Sequence, residues 1–155
     1  MQPPTLHTAR LRLDAVRPDD TPFVAEYCAD LELQRYVPVP VPYTREHADD
    51  YCVNYARAAA EGEGALWAIR WGDVQFGTAV ADTRASPIVP GLFGVVAGNI
   101  GSASVARSCG FRFEGLSRAA LPHRDQRLDA WCATLLATDS RDPQPGWPAP
   151  LEAPR

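Results

Sequence analysis

Length, composition and charge exclude several kinds of protein before any motif is considered. The chain has 155 residues, of which 46% are hydrophobic, so it can bury one core but has no room for two ordinary domains. Its formal net charge is −4, which argues against nucleic acid as a partner because phosphate binding needs a basic face.

Cysteine spacing and the length of the apolar runs argue against a metal-binding, disulfide-linked or membrane protein. The four cysteines, Cys28, Cys52, Cys109 and Cys132, form no Cys-x-x-Cys pair, and the first residues do not resemble a secretory signal. We therefore expect reduced thiols in the cytoplasm, with no metal site and no disulfide framework. No apolar run approaches the ~20 residues that cross a bilayer, so no membrane contact is expected.

The first elements in chain order are a strand and a helix. Alternation predicts a strand over residues 11–15, and the acidic and capping residues 19–22 predict a helix over residues 22–29. One face of this helix is expected in the core, namely Phe23, Val24, Tyr27, Cys28 and Leu31. The alternating valines and prolines of residues 37–42 then predict an extended loop.

A second helix and a hairpin follow. The helix is predicted from its N-cap, Thr44, to about Ala60, where the glycines of residues 61–64 end it. Its apolar side is Tyr51, Cys52, Tyr55, Ala56 and Ala59. Residues 65–71 and 74–81 predict the hairpin, whose tryptophans, Trp67 and Trp71, are expected to pack in the core as Trp131 does.

The second half predicts strand, turn, helix and two further strands. A strand reaches Ala97, a Gly-Asn turn precedes a short apolar helix, and Gly110 ends that helix in a left-handed conformation. Strands are expected over residues 111–119 and 128–137. The proline-rich residues 140–155 predict an extended or disordered tail that adds little to the core.

Three segments carry a resemblance to a known family. Residues 98–102 read Gly-Asn-Ile-Gly-Ser, and Val-Ala-x-x-x-Gly-Phe at residues 105–111 precedes Phe-Glu-Gly-Leu at 113–116. Together they resemble the second acetyl-CoA-contacting segment of GNAT N-acetyltransferases. Residues 6–13 resemble the first strand of the branch of that family that acetylates ribosomal-protein N-termini. Residues 40–44 resemble the start of its second helix.

One defining part of the family is absent from the sequence. No Arg or Gln is followed by two residues, Gly, one residue, and Gly or Ala, which is the loop that holds the CoA pyrophosphate in the family. Only residues 82–91 separate the neighbouring strands, too few for a loop and a helix. We therefore expect an α/β fold, a GNAT-like, mostly antiparallel sheet flanked by helices and truncated in the middle, formed by residues 1–139.

The resemblance implies transfer of an acetyl group from acetyl-CoA to a primary amine, either a protein N-terminus or a small molecule. It places cofactor contacts at Val95, Val96, Asn99 and Ser102, with the Ser102 hydroxyl protonating the departing CoA thiolate. From the residues alone, the pattern favours a turn residue at Asn99 and a helix cap at Ser102. Without the pyrophosphate loop, acetyl-CoA binding is expected to be impaired.

The acceptor side is less defined in the sequence. Glu46 and Glu114 are the carboxylates that could take a proton from an ammonium substrate, although each is more often a solvated surface residue. The three histidines, His7, His47 and His123, show no metal-site spacing and receive no role.

Other interpretations remain open alongside the enzyme. A degenerate, non-catalytic relative would act as a binding or dimerising module or be a gene relic, and a deletion product of a longer enzyme would share these features. Loss of the central helix predicts exposed apolar strand surface, from which a homodimer would follow.

Overall fold

The structure of the chain, a computed structural model, describes residues 3–61, 64–72, 74–82 and 92–148. The chain divides into two compact units, residues 1–84 and 85–155. Each unit combines an antiparallel sheet with helices, which confirms the expected α/β class with a mostly antiparallel sheet. Most of the short connection predicted between the two halves, residues 83–91, lies outside the described residues. The expected domain boundary at residue 139 stays a prediction.

The first unit has a sheet of four strands in the order β1-β2-β3-β4, all antiparallel. Its elements are β1 (Leu6–His7), β2 (Arg12–Ala15), a 3-10 turn (Pro18–Asp20), α1 (Thr21–Ala29), α2 (Leu31–Tyr36), α3 (Arg45–Asp50), a π-helical turn (Tyr51–Tyr55), α4 (Ala56–Glu61), β3 (Gly64–Trp71) and β4 (Val74–Asp82). The predicted hairpin over residues 65–71 and 74–81 is confirmed as β3 and β4.

The first predicted helix is confirmed as α1, but its apolar face is shorter than expected. Val24 is 1% exposed, and Phe23 and Cys28 pack against the same cluster of buried residues. Leu31, by contrast, is 82% exposed. The reason is that α1 ends at Ala29, and Asp30 caps a separate helix, α2, by accepting a hydrogen bond from the Leu33 N–H.

The second predicted helix begins as expected and then changes its pitch. Thr44 is the N-cap, and its hydroxyl accepts a hydrogen bond from the His47 N–H at 3.3 Å. The π-helical turn rotates the positions that follow it relative to an ideal α-helix. Cys52 is consequently 2% exposed, whereas Tyr55, which the sequence placed on the same apolar side, is 47% exposed and stacks on Tyr51.

A buried ion-pair network joins the strands of the first unit to the start of α1. The Arg70 guanidinium on β3 donates to Asp20 at 2.8 and 2.9 Å and to Asp14 on β2 at 2.7 Å. Hydrogen bonds to Asp20 raise the Arg70 pKa, while burial lowers it and Asp14 raises it further. The Asp20 side chain also accepts from the Arg17 N–H instead of capping α1, which corrects its expected role. Arg70 therefore stays charged and fixes the position of α1.

The second unit has three strands in the order β5-β7-β6, again antiparallel. Its elements are β5 (Leu92–Val96), α5 (Ile100–Ser108), β6 (Arg112–His123) and β7 (Gln126–Thr134). Helix α5 packs Ala103 and Ala106 against Trp131 and Ala133 of β7. The buried Trp131 thus confirms its expected core position, whereas Trp71 of the first unit is 72% exposed at the tip of its hairpin.

The segment after β7 differs from the expectation that it adds little to the core. Residues 135–148 form no helix or strand, but Trp147 is 1% exposed and its indole N–H donates to the Phe111 carbonyl at 3.1 Å. Its ring contacts Phe93 and Phe113. The indole supplies enough apolar area and a satisfied donor to hold a proline-rich segment in place. Residues 149–155 lie outside the described residues.

Candidate active site

The junction between β5 and α5 is the best-defined local motif of the second unit. Gly98 has φ +93°, which a glycine adopts without strain, and the chain then turns through Asn99 into α5. The Asn99 side-chain oxygen accepts the Ser102 N–H at 3.1 Å, and the Asn99 N–H donates to the Val96 carbonyl at 3.0 Å. Asn99 is thus the N-cap of α5, whereas the sequence suggested a turn for Asn99 and the helix cap for Ser102.

Several hydrogen-bond donors at this helix start remain uncommitted. Within the described part of the chain, no group accepts from the Asn99 side-chain amide, the Gly101 N–H or the Ser102 hydroxyl. All belong to the cap or the first turn of α5, where the helix dipole favours negative charge. The arrangement can therefore bind a carbonyl oxygen or an anionic sulfur.

The two valines before the turn face opposite sides of the sheet. Val95 pairs with Trp131 and packs in the core with it, whereas Val96 pairs with Ala130 on the other face. The Ala97 N–H donates to the Asp129 carbonyl, so hydrogen bonding to β7 alternates along β5. By that alternation the backbone groups of Gly94 point away from β7, at the edge of the three-stranded sheet.

The face of this sheet opposite α5 carries a row of polar side chains. The Thr134 hydroxyl donates to a Glu114 carboxylate oxygen at 2.6 Å, and the Cys132 thiol lies 3.3 Å from the Ser117 hydroxyl. Glu114 occupies an extra position in β6, where the register with β7 shifts between Phe113 and Gly115. Its carboxylate, which the sequence suggested as a base, is exposed and held by Thr134.

A second irregularity in β6 lies closer to the hairpin turn. The register shifts between Ser117 and Leu121, and Ala119 has φ +49°. The Asp129 side chain accepts the Ala119 N–H at 2.8 Å, and Arg127 donates to the Ala119 and Ala120 carbonyls at 2.5 and 2.9 Å. These bonds hold a backbone conformation that a non-glycine residue seldom adopts.

The comparisons with known proteins now decide the family. The family model described as an acetyltransferase (GNAT) domain matches residues 10–88, just over half of the chain. The chain belongs to the GNAT acetyltransferase family. No curated protein sequence matches it significantly.

Solved structures with the same fold extend over nearly the whole GNAT chain. A RimL ribosomal L7/L12 alpha-N-protein acetyltransferase superposes with a TM-score of 0.67 at 13% identity, covering 86% of this chain and 94% of that one. RimJ of Mycobacterium smegmatis, in complex with CoA-disulfide, gives 0.67 at 17% identity and covers 88% and 90%. The microcin C7 self-immunity acetyltransferase MccE, in complex with acetyl-CoA and AMP, gives 0.67 at 8% identity and covers 83% and 93%. At such identities the likeness establishes the fold.

The predicted cofactor residues of this GNAT chain lie together at the junction of β5 and α5. Asn99 and Ser102 share the first turn of the helix, and Val95 and Val96 end the strand before it. Ser102 is not the helix cap, because its own N–H is the group that Asn99 caps. The roles of all four toward acetyl-CoA, and of Ser102 in catalysis, stay predictions.

Candidate residues in the first unit do not assemble into a catalytic group. Glu46 lies beside His47, Asp49 and Asp50 at an open depression of about 630 Å³. His47 accepts from the Thr44 N–H and so completes the start of α3. Burial raises the pKa of the Cys28 and Cys52 thiols, which keeps both protonated and unreactive at neutral pH.

The described part of the chain contains neither a metal-binding cluster nor a membrane-spanning helix. No group of three or more His, Cys, Asp or Glu side chains in it could hold a metal ion. Searching the same residues finds no helix with the length and hydropathy needed to span a bilayer. All four cysteines are free thiols.

His123 is buried, although the sequence assigned it no role. It ends β6 and is 3% exposed, although Pro122 and Arg124 on either side are exposed. Its Nδ1 atom is buried with no hydrogen-bond partner among the described residues. No local signal marks the position, since a histidine beside a hairpin turn is ordinarily solvated.

Proposed function

We propose that this GNAT protein transfers an acetyl group from acetyl-CoA to a primary amine. The observation that carries the proposal is the set of uncommitted donors at the start of α5, on Asn99, Gly101 and Ser102. Family membership supplies the acetyl-CoA class, and the RimL and RimJ folds make a protein N-terminal amine the first acceptor to test. The free thiols agree with a cytoplasmic location.

The chemistry needs little from the protein besides positioning. A neutral amine attacks the thioester carbonyl carbon, a C–N bond forms and the C–S bond breaks. The nitrogen loses one proton, and the departing thiolate takes one up. A first-turn N–H such as that of Gly101 suits the oxyanion that develops on the carbonyl oxygen. The Ser102 hydroxyl, which none of the described residues occupies, suits the thiolate as a proton donor.

Acetyl-CoA should stabilise the protein against thermal unfolding. A ligand present at about 100 times its dissociation constant adds about 2.7 kcal/mol to the free energy of unfolding. Because the sequence has no pyrophosphate loop, S-acetylpantetheine, which lacks the nucleotide and pyrophosphate, should give a Tm shift similar to that of acetyl-CoA. Differential scanning calorimetry with both thioesters measures this, with acetate as the negative control.

The Tm shifts with acetyl-CoA and with S-acetylpantetheine distinguish three outcomes, of which the first is equal shifts, as expected above. A much larger shift with acetyl-CoA would mean that another segment binds the pyrophosphate. No shift with either ligand, together with a cooperative transition, would contradict the proposal and favour a non-catalytic relative.

Replacing Ser102 with alanine should reduce turnover without unfolding the helix. Loss of a proton donor to the leaving group typically lowers kcat by about a hundredfold or more. Stability should change by less than about 0.5 kcal/mol, because the cap is on Asn99 and the substitution leaves the Ser102 N–H in place. Initial rates with acetyl-CoA and a peptide amine, followed by thiol release, report the effect.

Ser108→Ala is the matched control, since Ser108 is exposed in the last turn of the same helix. It should leave both rate and Tm unchanged. Equal rates for the Ser102 and Ser108 variants would remove Ser102 from the mechanism.

The oligomeric state belongs to the same proposal. We expect a homodimer, on the grounds that the sequence lacks the segment that covers one face of the sheet in the family. Sedimentation velocity of the full chain over a range of concentrations distinguishes a dimer from a monomer.

A further inference from the structure

A cavity of about 430 Å³ in the first unit takes no part in the chemistry described above. Its floor consists of core side chains, since Val16 is 9%, Cys52 2% and Leu66 3% exposed. Among its described lining residues, the charged ones are Arg57 and Glu61, both on α4. Small-molecule sites are usually recesses of this size that are mostly apolar and carry a few polar groups. The cavity therefore has the volume and the lining of a small-molecule site.

The winding of the second helical segment shapes this cavity. The π-helical turn adds a residue to one turn, so that Cys52 reaches the core and Val53 borders the cavity. The segment then presents Ala56 and Ala60, whose short side chains leave space between α4 and the residues of β2 and β3 that line the other side. Turns of this kind are rare and occur frequently at functional sites. The irregular winding thus favours a binding role for the cavity over a packing defect.

Two opposite charges stand at the rim of the cavity without neutralising each other. The Arg57 guanidinium donates to the Asn54 side-chain oxygen at 2.9 Å, and the Asn54 amide donates to Asp50 at 2.7 Å, so Arg57 is held toward the preceding turn of the helix. Glu61 follows Arg57 by four residues, which is the spacing of a helical ion pair. Within the described residues, however, no ion pair joins the two or engages either of them. Arg57 therefore keeps N–H donors for an anion, and Glu61 keeps its carboxylate for a cation.

We propose that this cavity binds a free α-amino acid with a large apolar side chain. Arg57 binds the carboxylate, Glu61 binds the ammonium group, and the apolar side chain covers the buried floor. Charge complementarity selects this class, because an α-amino acid carries both charges next to each other and a simple acid or amine would engage only one of the two rim residues. The inference does not depend on the proposed function, since acetyl-CoA takes no part in it.

The first experiment titrates the unmodified protein with four ligands. L-Phenylalanine carries both charges and an aromatic ring, 3-phenylpropanoate lacks the ammonium group, phenethylamine lacks the carboxylate, and glycine lacks the side chain. Isothermal titration calorimetry should give L-phenylalanine the lowest Kd, because loss of a hydrogen bond between charged groups weakens binding about tenfold or more. Glycine should not bind measurably, since it buries no apolar side chain. An analogue that binds as tightly as L-phenylalanine, or no binding of L-phenylalanine at about 10 mM, overturns the inference.

The second experiment removes the two charges one at a time. Arg57→Gln should raise the Kd of L-phenylalanine about tenfold and leave that of phenethylamine, which has no carboxylate, nearly unchanged. Glu61→Gln should weaken L-phenylalanine by a similar factor and spare 3-phenylpropanoate, which has no ammonium group. Arg35→Gln and Glu32→Gln are the matched controls, because these residues form an exposed pair on α2 away from the cavity lining, and both should leave every Kd unchanged. Equal losses for L-phenylalanine and the spared analogue would indicate a structural effect and overturn the inference.

Methyl NMR spectra of the unmodified protein locate the bound ligand. The methyl resonances of Val16 and Val53, which line the cavity, should shift on addition of L-phenylalanine, whereas those of Val105, 65% exposed on α5, should not. Shifts confined to Val105, or equal at all three valines, would place the ligand elsewhere and overturn the inference. Both charge variants should fold, because Arg57 and Glu61 are exposed. Should either variant not fold, the four-ligand titration and the methyl shifts of the unmodified protein decide.

Discussion

Replacing Arg70 with methionine is expected to lower the free energy of unfolding by about 3–5 kcal/mol, because it leaves the buried Asp20 carboxylate without a cationic partner and takes one of three from Asp14. Asp14 is 4% exposed and Asp20 6%, so neither can regain full hydration in the folded chain. Arg17 and Arg12 contact Asp14 from the outside, but neither reaches the Asp20 oxygens with a side chain. Urea denaturation followed by circular dichroism measures the loss.

Arg35→Met is the matched control for this prediction. Arg35 makes an exposed pair with Glu32 at 3.9 Å and lies over the Tyr36 ring, contacts worth at most about 1 kcal/mol. Arg70→Lys is a second test, because an ammonium cannot form the paired bonds that the guanidinium makes to Asp20. Its free energy of unfolding should lie between those of the wild type and Arg70→Met. A loss below about 1 kcal/mol for Arg70→Met would show that water reaches the carboxylates.

Replacing Trp147 with alanine is expected to cost about 3–5 kcal/mol, the range for removing a fully buried large aromatic side chain. The substitution removes contacts to Phe93 and Phe113 and leaves the Phe111 carbonyl without the indole N–H. Chemical denaturation of the full chain reports the total, and hydrogen exchange should locate the loss in β5, α5, β6 and β7. The effect is notable because the substituted residue lies in a proline-rich segment with no regular structure.

Two further variants test whether burial of the ring and its N–H donor account for the effect of Trp147→Ala. Trp71→Ala applies the same chemical change at a side chain that is 72% exposed, and it should alter stability by no more than about 0.5 kcal/mol. Trp147→Phe retains ring packing but not the N–H donor, and it should cost about 1–2 kcal/mol. If Trp71→Ala and Trp147→Ala were equally mild, the indole of Trp147 would not belong to the core in solution.

The parts of the fold that sequence predicted are those with local causes. The turn through Asn99, the stop at Gly110 with φ +90° and the hairpin of β3 and β4 depend on residues a few positions apart. The exposure of Leu31 was missed because the apolar spacing of α1 continues through Asp30, which ends one helix and caps the next. The π-helical turn likewise has no sequence pattern that marks it.

What sequence could not predict depends on distant partners. Asp14 and Asp20 lie 56 and 50 positions from Arg70, so the sequence did not reveal the ion pairs, and the acidic residues before the first helix were interpreted as capping. His123 received no role from the sequence, because its burial is set by tertiary structure. At the candidate site, sequence placed Asn99 and Ser102 on one helical turn, but not which donors the fold leaves uncommitted.

Burial of Trp147 has a consequence for synthesis on the ribosome. The strands and helix that contact it are complete by Thr134, yet their aromatic cluster lacks its central ring until residue 147 has left the exit tunnel. At elongation rates of about 5–20 residues per second, the second unit waits with Phe93 and Phe113 uncovered while the first unit is free to fold. Nascent chains stalled before and after that residue should therefore differ sharply in protease resistance.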